Sequence, residues 1–217
     1  MNLEQARFNM IEQQIRTWDV LDQDVLDLLM IVKRENFVPA VYSALAFVDT
    51  EIPLPCGQSM LMPKLEARLL QEAAVKKHEH VLEIGSGSGY MAGLLAHRAR
   101  HVTTVEIEPE LHSMARDNLR QAGIDNVDVV QGDGAQGWAA AAPYDVIMVS
   151  GSMPLLPSSF LQQLKIGGRL VAIIGEAPAM VAQVVTRVTE QAFSTTKLFE
   201  TTVQPLRNAA TPSHFQF

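Results

Sequence analysis

Val81-Leu82-Glu83-Ile84-Gly85-Ser86-Gly87-Ser88-Gly89-Tyr90 decides the fold. A short run of buried-strand character enters a loop with glycine at every second position, and residues 91–99 then suit a helix. Glycine in such a turn permits positive φ and lets a ligand approach the backbone closely. Outward from this turn, strand and helix patterns alternate. Residues 102–107, 127–131, 146–149 and 170–174 read as strands, residues 109–122 as a helix, and residues 181–188 and 197–203 as two closing strands. Such alternation implies a parallel sheet with crossovers on its faces. The last two strands leave no room for a helix between them and are expected to pair antiparallel. The expected fold class is α/β: a doubly wound, mostly parallel, seven-stranded Rossmann-like sheet.

Upstream, Leu3, Ala6, Phe8, Met10, Ile11 and Ile15 follow a helical stripe. Val25, Leu26, Leu28, Leu29 and Val32 form a second, with Asp22 or Asp24 as its cap. Residues 49–63 are rich in turn formers, with Pro53, Pro55, Gly57 and Pro63. Pro63 suits the first turn of a helix through Leu65, Leu69, Leu70, Ala73 and Ala74.

Composition narrows the function. Hydrophobic residues at 47% and charged residues at 19% are those of a globular protein with an ordinary core. A net charge of −7 is repelled by a phosphate backbone unless a basic patch offsets it. The longest basic clusters, Lys33-Arg34 and Lys76-Lys77, read as solvated surface, so nucleic acid is not an expected partner. The single cysteine, Cys56, excludes an intrachain disulfide and a Cys-based metal framework. The N-terminus lacks the features of a signal peptide, and no apolar run approaches the ~20 residues of a membrane span. The expectation is a reduced, cytoplasmic protein with no membrane partner.

Glu106 lies 21 residues after Gly85, at the end of the next strand. A carboxylate there suits the two hydroxyls of a ribose, in the crevice where open α/β sheets bind ligands. The loop is G-S-G-S-G with Tyr90 at the sixth position, a departure from the dinucleotide pattern. Glu83 makes sense beside an ammonium and poor sense beside a pyrophosphate. Asp133, between Gly132 and Gly134 at a third strand end, offers an acceptor for the exocyclic amine of adenine. These features favour S-adenosyl-L-methionine over a nicotinamide dinucleotide, with Glu83, Gly85, Ser86, Gly87, Gly89, Glu106, Ile107, Asp133 and Gly134 as cofactor-binding candidates.

The glycine loop, Val105-Glu106-Ile107 and Gly132-Asp133-Gly134 together resemble class I S-adenosylmethionine-dependent methyltransferases. A narrower resemblance covers the chain after the first helix. Glu35-Asn36-Phe37-Val38-Pro39, residues 52–63, the loop itself, Tyr144-Asp145-Val146-Ile147, residues 163–170 and Val203-Gln204-Pro205-Leu206 recur in order in the protein-L-isoaspartate O-methyltransferases. The resemblance implies one methyltransferase domain over residues 1–217: a helical extension and substrate-side loop at 1–62, then a cofactor-binding core at 63–217. It implies methylation of isoaspartyl-containing proteins or peptides as a repair step. It also places Gln58 and Ser59 beside the cofactor.

The family's loop reads roughly L-P-I-G-x-G-Q-T-I-S-Q-P, against Ile52-Pro53-Leu54-Pro55-Cys56-Gly57-Gln58-Ser59-Met60-Leu61-Met62-Pro63 here. Gly57, Gln58 and Pro63 match, whereas Leu61 and Met62 stand where the family has serine and glutamine. Ser150-Gly151-Ser152-Met153-Pro154 likewise replaces the family's T-A-A-A-P. Ser59, two residues before Leu61, is the remaining candidate for a catalytic, orienting hydroxyl. Two classes stay open: an isoaspartyl carboxyl methyltransferase, and a relative that binds the cofactor but serves another acceptor or a noncatalytic role.

The six histidines share no metal-ligand spacing. Cys56 has no cationic sequence neighbour to lower its pKa. Asp145 either faces the site or caps a turn. Residues 211–217 read as a frayed end whose His214, Phe215 and Phe217 are candidates for docking on a partner. The oligomeric state stays open.

Overall fold

A computed structural model describes residues 2–212, so the expectation for His214, Phe215 and Phe217 lies outside the described residues. The chain opens with α1 (Leu3–Met10), which continues through a π turn (Ile11–Ile15), and with α2 (Gln23–Ile31). Asp22 caps α2, accepting the Asp24 N–H at 2.9 Å. Two-residue strands β1 (Ile52–Pro53) and β2 (Ser59–Met60) pair as a small hairpin around Gly57. The turn-rich segment is thus partly ordered by its own ladder. Pro63 opens α3 (Pro63–Ala73), whose Leu65, Leu69, Leu70 and Ala73 are buried.

The core alternates β3 (His80–Ile84), α4 (Tyr90–Arg98), β4 (His101–Glu106), α5 (Pro109–Gln121), β5 (Val127–Gln131) and β6 (Tyr144–Met153). After α6 (Ser158–Gln162) come β7 (Leu164–Glu176), β8 (Ala179–Arg187) and β9 (Phe193–Thr201). The sheet order is β5-β4-β3-β6-β7-β8-β9. Strands β3 to β7 run parallel, and β8 and β9 are antiparallel to their neighbours. The doubly wound, mostly parallel, seven-stranded sheet is therefore present. Val81–Ile84, Val102, Val105 and residues 146–149 are buried, covered by α3, α4 and α5 on one face and by α6 and Trp138 on the other.

The last strand begins and ends earlier than the sequence pattern suggests. Its apolar signal near Val203 comes from a segment that leaves β9 and lies along the extended end of β6. There Ser152 N–H donates to Gln204 O at 3.1 Å, and Leu206 N–H donates to Ser152 O at 2.9 Å. This route carries residues 204–207 to the carboxyl edge of the sheet.

One surface expectation fails. Lys33 is exposed, but Arg34 is completely buried, because the 3₁₀ turn at Arg34–Asn36 turns its guanidinium inward to the Glu66 carboxylate of α3. Asp145 sits at the start of β6, accepting His80 N–H and Lys165 Nζ, each at 2.8 Å. It ties three strands together at the end of the sheet opposite the glycine loop.

Candidate active site

Strand order reverses at β3, with β4 on one side and β6 on the other, which opens a crevice at the carboxyl ends of the strands. A cleft of about 740 Å³, part of it open to solvent, occupies this crevice. Ile84, Gly85 and Gly87 follow β3, and Glu106, Ile107 and Glu108 follow β4. Asp133, Gly134 and Ala135 follow β5, and Ser150 and Gly151 belong to the end of β6. Gln58, Ser59 and Leu61 of the hairpin, with residues 204–207, close it.

Glu106 is almost fully buried, and its carboxylate is pinned. Oε2 accepts the Gly87 N–H at 2.9 Å and Oε1 accepts the Glu108 N–H at 3.1 Å. Each oxygen keeps an acceptor lone pair, which is the arrangement two vicinal hydroxyls require. Asp133 is more exposed. Oδ1 accepts Ala135 N–H, and Oδ2 accepts the side-chain amide of Asn208, both at 2.9 Å.

Glu83 and Ser86 lie deeper, in a smaller pocket that shares Ser59, Leu61, Gly85, Gly87 and Ser150 with the main cleft. Glu83 accepts hydrogen bonds from Thr104 Oγ1 at 2.7 Å and Ser150 Oγ at 2.8 Å, and Ser86 Oγ lies 2.6 Å from Thr104 Oγ1. Burial pushes the Glu83 carboxyl up to about 8, against the opposing effect of the Thr104 and Ser150 hydrogen bonds. A cationic ligand group at this point would favour the ionised form.

Gly89 lines neither pocket. It caps α4 with φ at 85°, and a Cβ there would fall 3.1 Å from the backbone of Ala115, so the α4–α5 contact requires glycine. The other cofactor candidates, Gln58, Ser59, Gly85, Gly87, Glu106, Ile107, Asp133 and Gly134, surround the main cleft.

The acceptor side is sparse in donors. Ser59 Oγ donates to Glu51 Oε2 at 3.1 Å, and Leu61 presents an apolar, buried side chain to the cleft. Met62 is the N-cap of α3 and does not line the cleft. Cys56 has φ at 58° and its Sγ lies 3.8 Å from Glu110 Oε2. Desolvation and the Glu108 and Glu110 carboxylates push its thiol up, the wrong direction for a nucleophile.

Residues 204–208 carry no cofactor signature in sequence, yet Gln204 and Arg207 hold the hairpin in place. Gln204 Nε2 donates to Gly57 O at 3.0 Å, and Arg207 Nη2 donates to Cys56 O at 2.8 Å while pairing with Glu108. Glu108 lies just past the end of β4, and Ser150 lies inside β6, which runs four residues beyond the Val149 end expected from sequence. Among the described residues, no group of three or more His, Cys, Asp or Glu could hold a metal, and no helix is long and apolar enough to cross a membrane.

Comparisons with known proteins agree with this architecture. A protein-L-isoaspartate O-methyltransferase from Koribacter versatilis is 38% identical over 200 residues, covering 92% of this chain and 90% of the relative. One from Rhodopseudomonas palustris is 43% identical over 166 residues, 76% of each chain. A Plasmodium falciparum structure assigned to the same activity, in complex with S-adenosyl-L-homocysteine, superimposes with a TM-score of 0.78 at 20% identity, covering 93% of this chain and 98% of that one. That likeness supports the fold. The model of the protein-L-isoaspartate(D-aspartate) O-methyltransferase (PCMT) family matches residues 5–210, and the chain belongs to that family.

Proposed function

We propose that this chain methylates the free carboxylate of isoaspartyl residues in proteins or peptides, with S-adenosyl-L-methionine as methyl donor. One observation carries the reading: the family match over residues 5–210 runs through every segment that lines the cleft. The pinned Glu106 carboxylate is the local test of fit. Its two oxygens, each with one backbone donor and one lone pair remaining, match a ribose. Asp133 would take the adenine amine, and Glu83 would face the cationic amino-acid end.

The donor supplies an electrophilic methyl on a sulfonium; the protein's part is placement. A substrate carboxylate has a reference pKa near 3.9 and is ionised at neutral pH, so no general base is needed. Rate then depends on orientation and on excluding water from the reacting pair. Leu61 and the hairpin wall serve exclusion. Ser59 carries the hairpin's side-chain hydroxyl, which would orient the acceptor once its bond to Glu51 is exchanged for one to the substrate.

A second reading is favoured by the Leu61 side chain and the Ser59–Glu51 bond, which leave the wall poor in free donors. It has the same donor serving a less polar acceptor. Mass spectrometry separates the two. An isoaspartyl peptide incubated with the protein and donor should gain one methyl group that mild base removes as methanol. Failure to gain it, with S-adenosyl-L-homocysteine bound, would leave the second reading.

A further inference from the structure

We propose that Arg34, which lies outside the cleft, is a positioning residue for methyl transfer: it holds the Leu61 backbone, and with it the acceptor wall, against the donor site. The proposal rests on the reading of the cleft as an isoaspartyl methyl-transfer site. Arg34 Nη2 donates to Leu61 O at 2.8 Å, and Nη1 pairs with the Glu66 carboxylate of α3. The guanidinium carbon lies 5.2 Å from the centroid of the Tyr90 ring, at the start of α4 just beyond the glycine loop. One buried cation thus bridges the hairpin exit, α3 and the helix that follows the cofactor loop.

Gln204 and Arg207 hold the tip of the hairpin at Gly57 and Cys56, but its exit toward Leu61 needs an anchor of its own. Its ladder has only two residue pairs, Ile52 with Met60 and Pro53 with Ser59, too few to fix the next residue on their own. Stability alone is a poor reason for the arrangement. Arg34 has no solvent exposure, its Nε has no hydrogen-bond partner, and the neighbouring Tyr90 hydroxyl is also unpaired. Apolar residues of similar volume often replace a buried ion pair at no loss of stability. What they cannot do is grip a carbonyl oxygen in a fixed direction, as a planar guanidinium does.

The test compares Arg34→Lys with the double variant Arg34→Met/Glu66→Gln, which leaves no unpaired buried charge and keeps a polar side chain of the same size in the pocket beside Glu83. The double variant should fold and bind S-adenosyl-L-homocysteine within about twofold of the unmutated protein. Its kcat on an isoaspartyl peptide should fall about ten- to a hundredfold, as a small misplacement of the acceptor wall demands. Arg34→Lys should keep an intermediate kcat. Unchanged kcat in a folded double variant would overturn the proposal. Where the unmutated protein binds S-adenosyl-L-homocysteine but does not methylate the peptide, the substrate reading falls, and amide hydrogen exchange at residues 58–62 decides instead. Exchange should then quicken in the double variant while the sheet stays protected; unchanged exchange there would overturn the proposal.

Discussion

The hydroxyl of Ser59 donates to Oε2 of Glu51 at 3.1 Å, which engages the only side-chain hydroxyl of residues 52–63 with a carboxylate. A substrate carboxylate brought to Ser59 therefore meets a like charge. A unit charge ~6 Å away in a water-like medium is worth about 0.7 kcal/mol, or about threefold in binding. Glu51→Gln should lower KM for an isoaspartyl peptide by about that factor at low salt, and less at high salt. Steady-state kinetics at two ionic strengths check this; an unchanged KM at both would place Glu51 outside the acceptor's field.

Leu61 lines the cleft and Met62 does not, so the two substitutions in the hairpin should separate. Leu61→Ser should raise isoaspartyl methylation by supplying a donor, while Met62→Gln alone should change it little. Losing the buried leucine should cost about 2–3 kcal/mol of stability, read as a lower Tm. Kinetics of the single and double variants at a temperature where both are folded make the comparison. A gain carried by Met62→Gln alone would contradict the geometry.

Glu106→Ala should weaken S-adenosyl-L-homocysteine binding by roughly 1–3 kcal/mol, through loss of buried acceptors. The same change frees the Gly87 and Glu108 N–H groups that Glu106 now satisfies, so Glu106→Gln, which keeps one oxygen, should lose less. Calorimetry on both variants gives the ranking. Equal affinity in Ala, Gln and unmutated proteins would remove Glu106 from the cofactor site.

Glu83 is buried and shifted upward, to about 8 from an ordinary value of 4.5, by desolvation. The native state holds a proton that the unfolded chain has released. Its contribution to stability is full below pH 4.5 and is lost as pH rises through 8. The unliganded protein should thus lose Tm between about pH 5 and about pH 8.5, and Glu83→Gln should flatten that decline. A parallel decline in both proteins would show that Glu83 does not titrate in this window.

The glycine loop, Glu106 and Asp133 were legible in sequence because strand spacing alone brings successive strand ends to one edge. The role of Gly89 was not, since the helix contact with Ala115 that demands it depends on how α4 and α5 pack. Arg34 beside Lys33 reads as a surface pair, and only its pairing with Glu66 and Leu61 reveals a buried cation. The Ser59–Glu51 bond and the Asn208–Asp133 bond follow from loop conformation and from the exit path of β9, which no local pattern encodes.

The most direct test is methyl transfer from labelled S-adenosyl-L-methionine to an isoaspartyl peptide and to its aspartyl twin, measured as kcat/KM for each. The twin differs only in which carboxylate is free, so donor binding and general peptide affinity cancel in the ratio. The predicted result is base-labile label on the isoaspartyl peptide and none above background on the twin. Equal transfer to both peptides, or none to either while the donor is bound, would contradict the assignment.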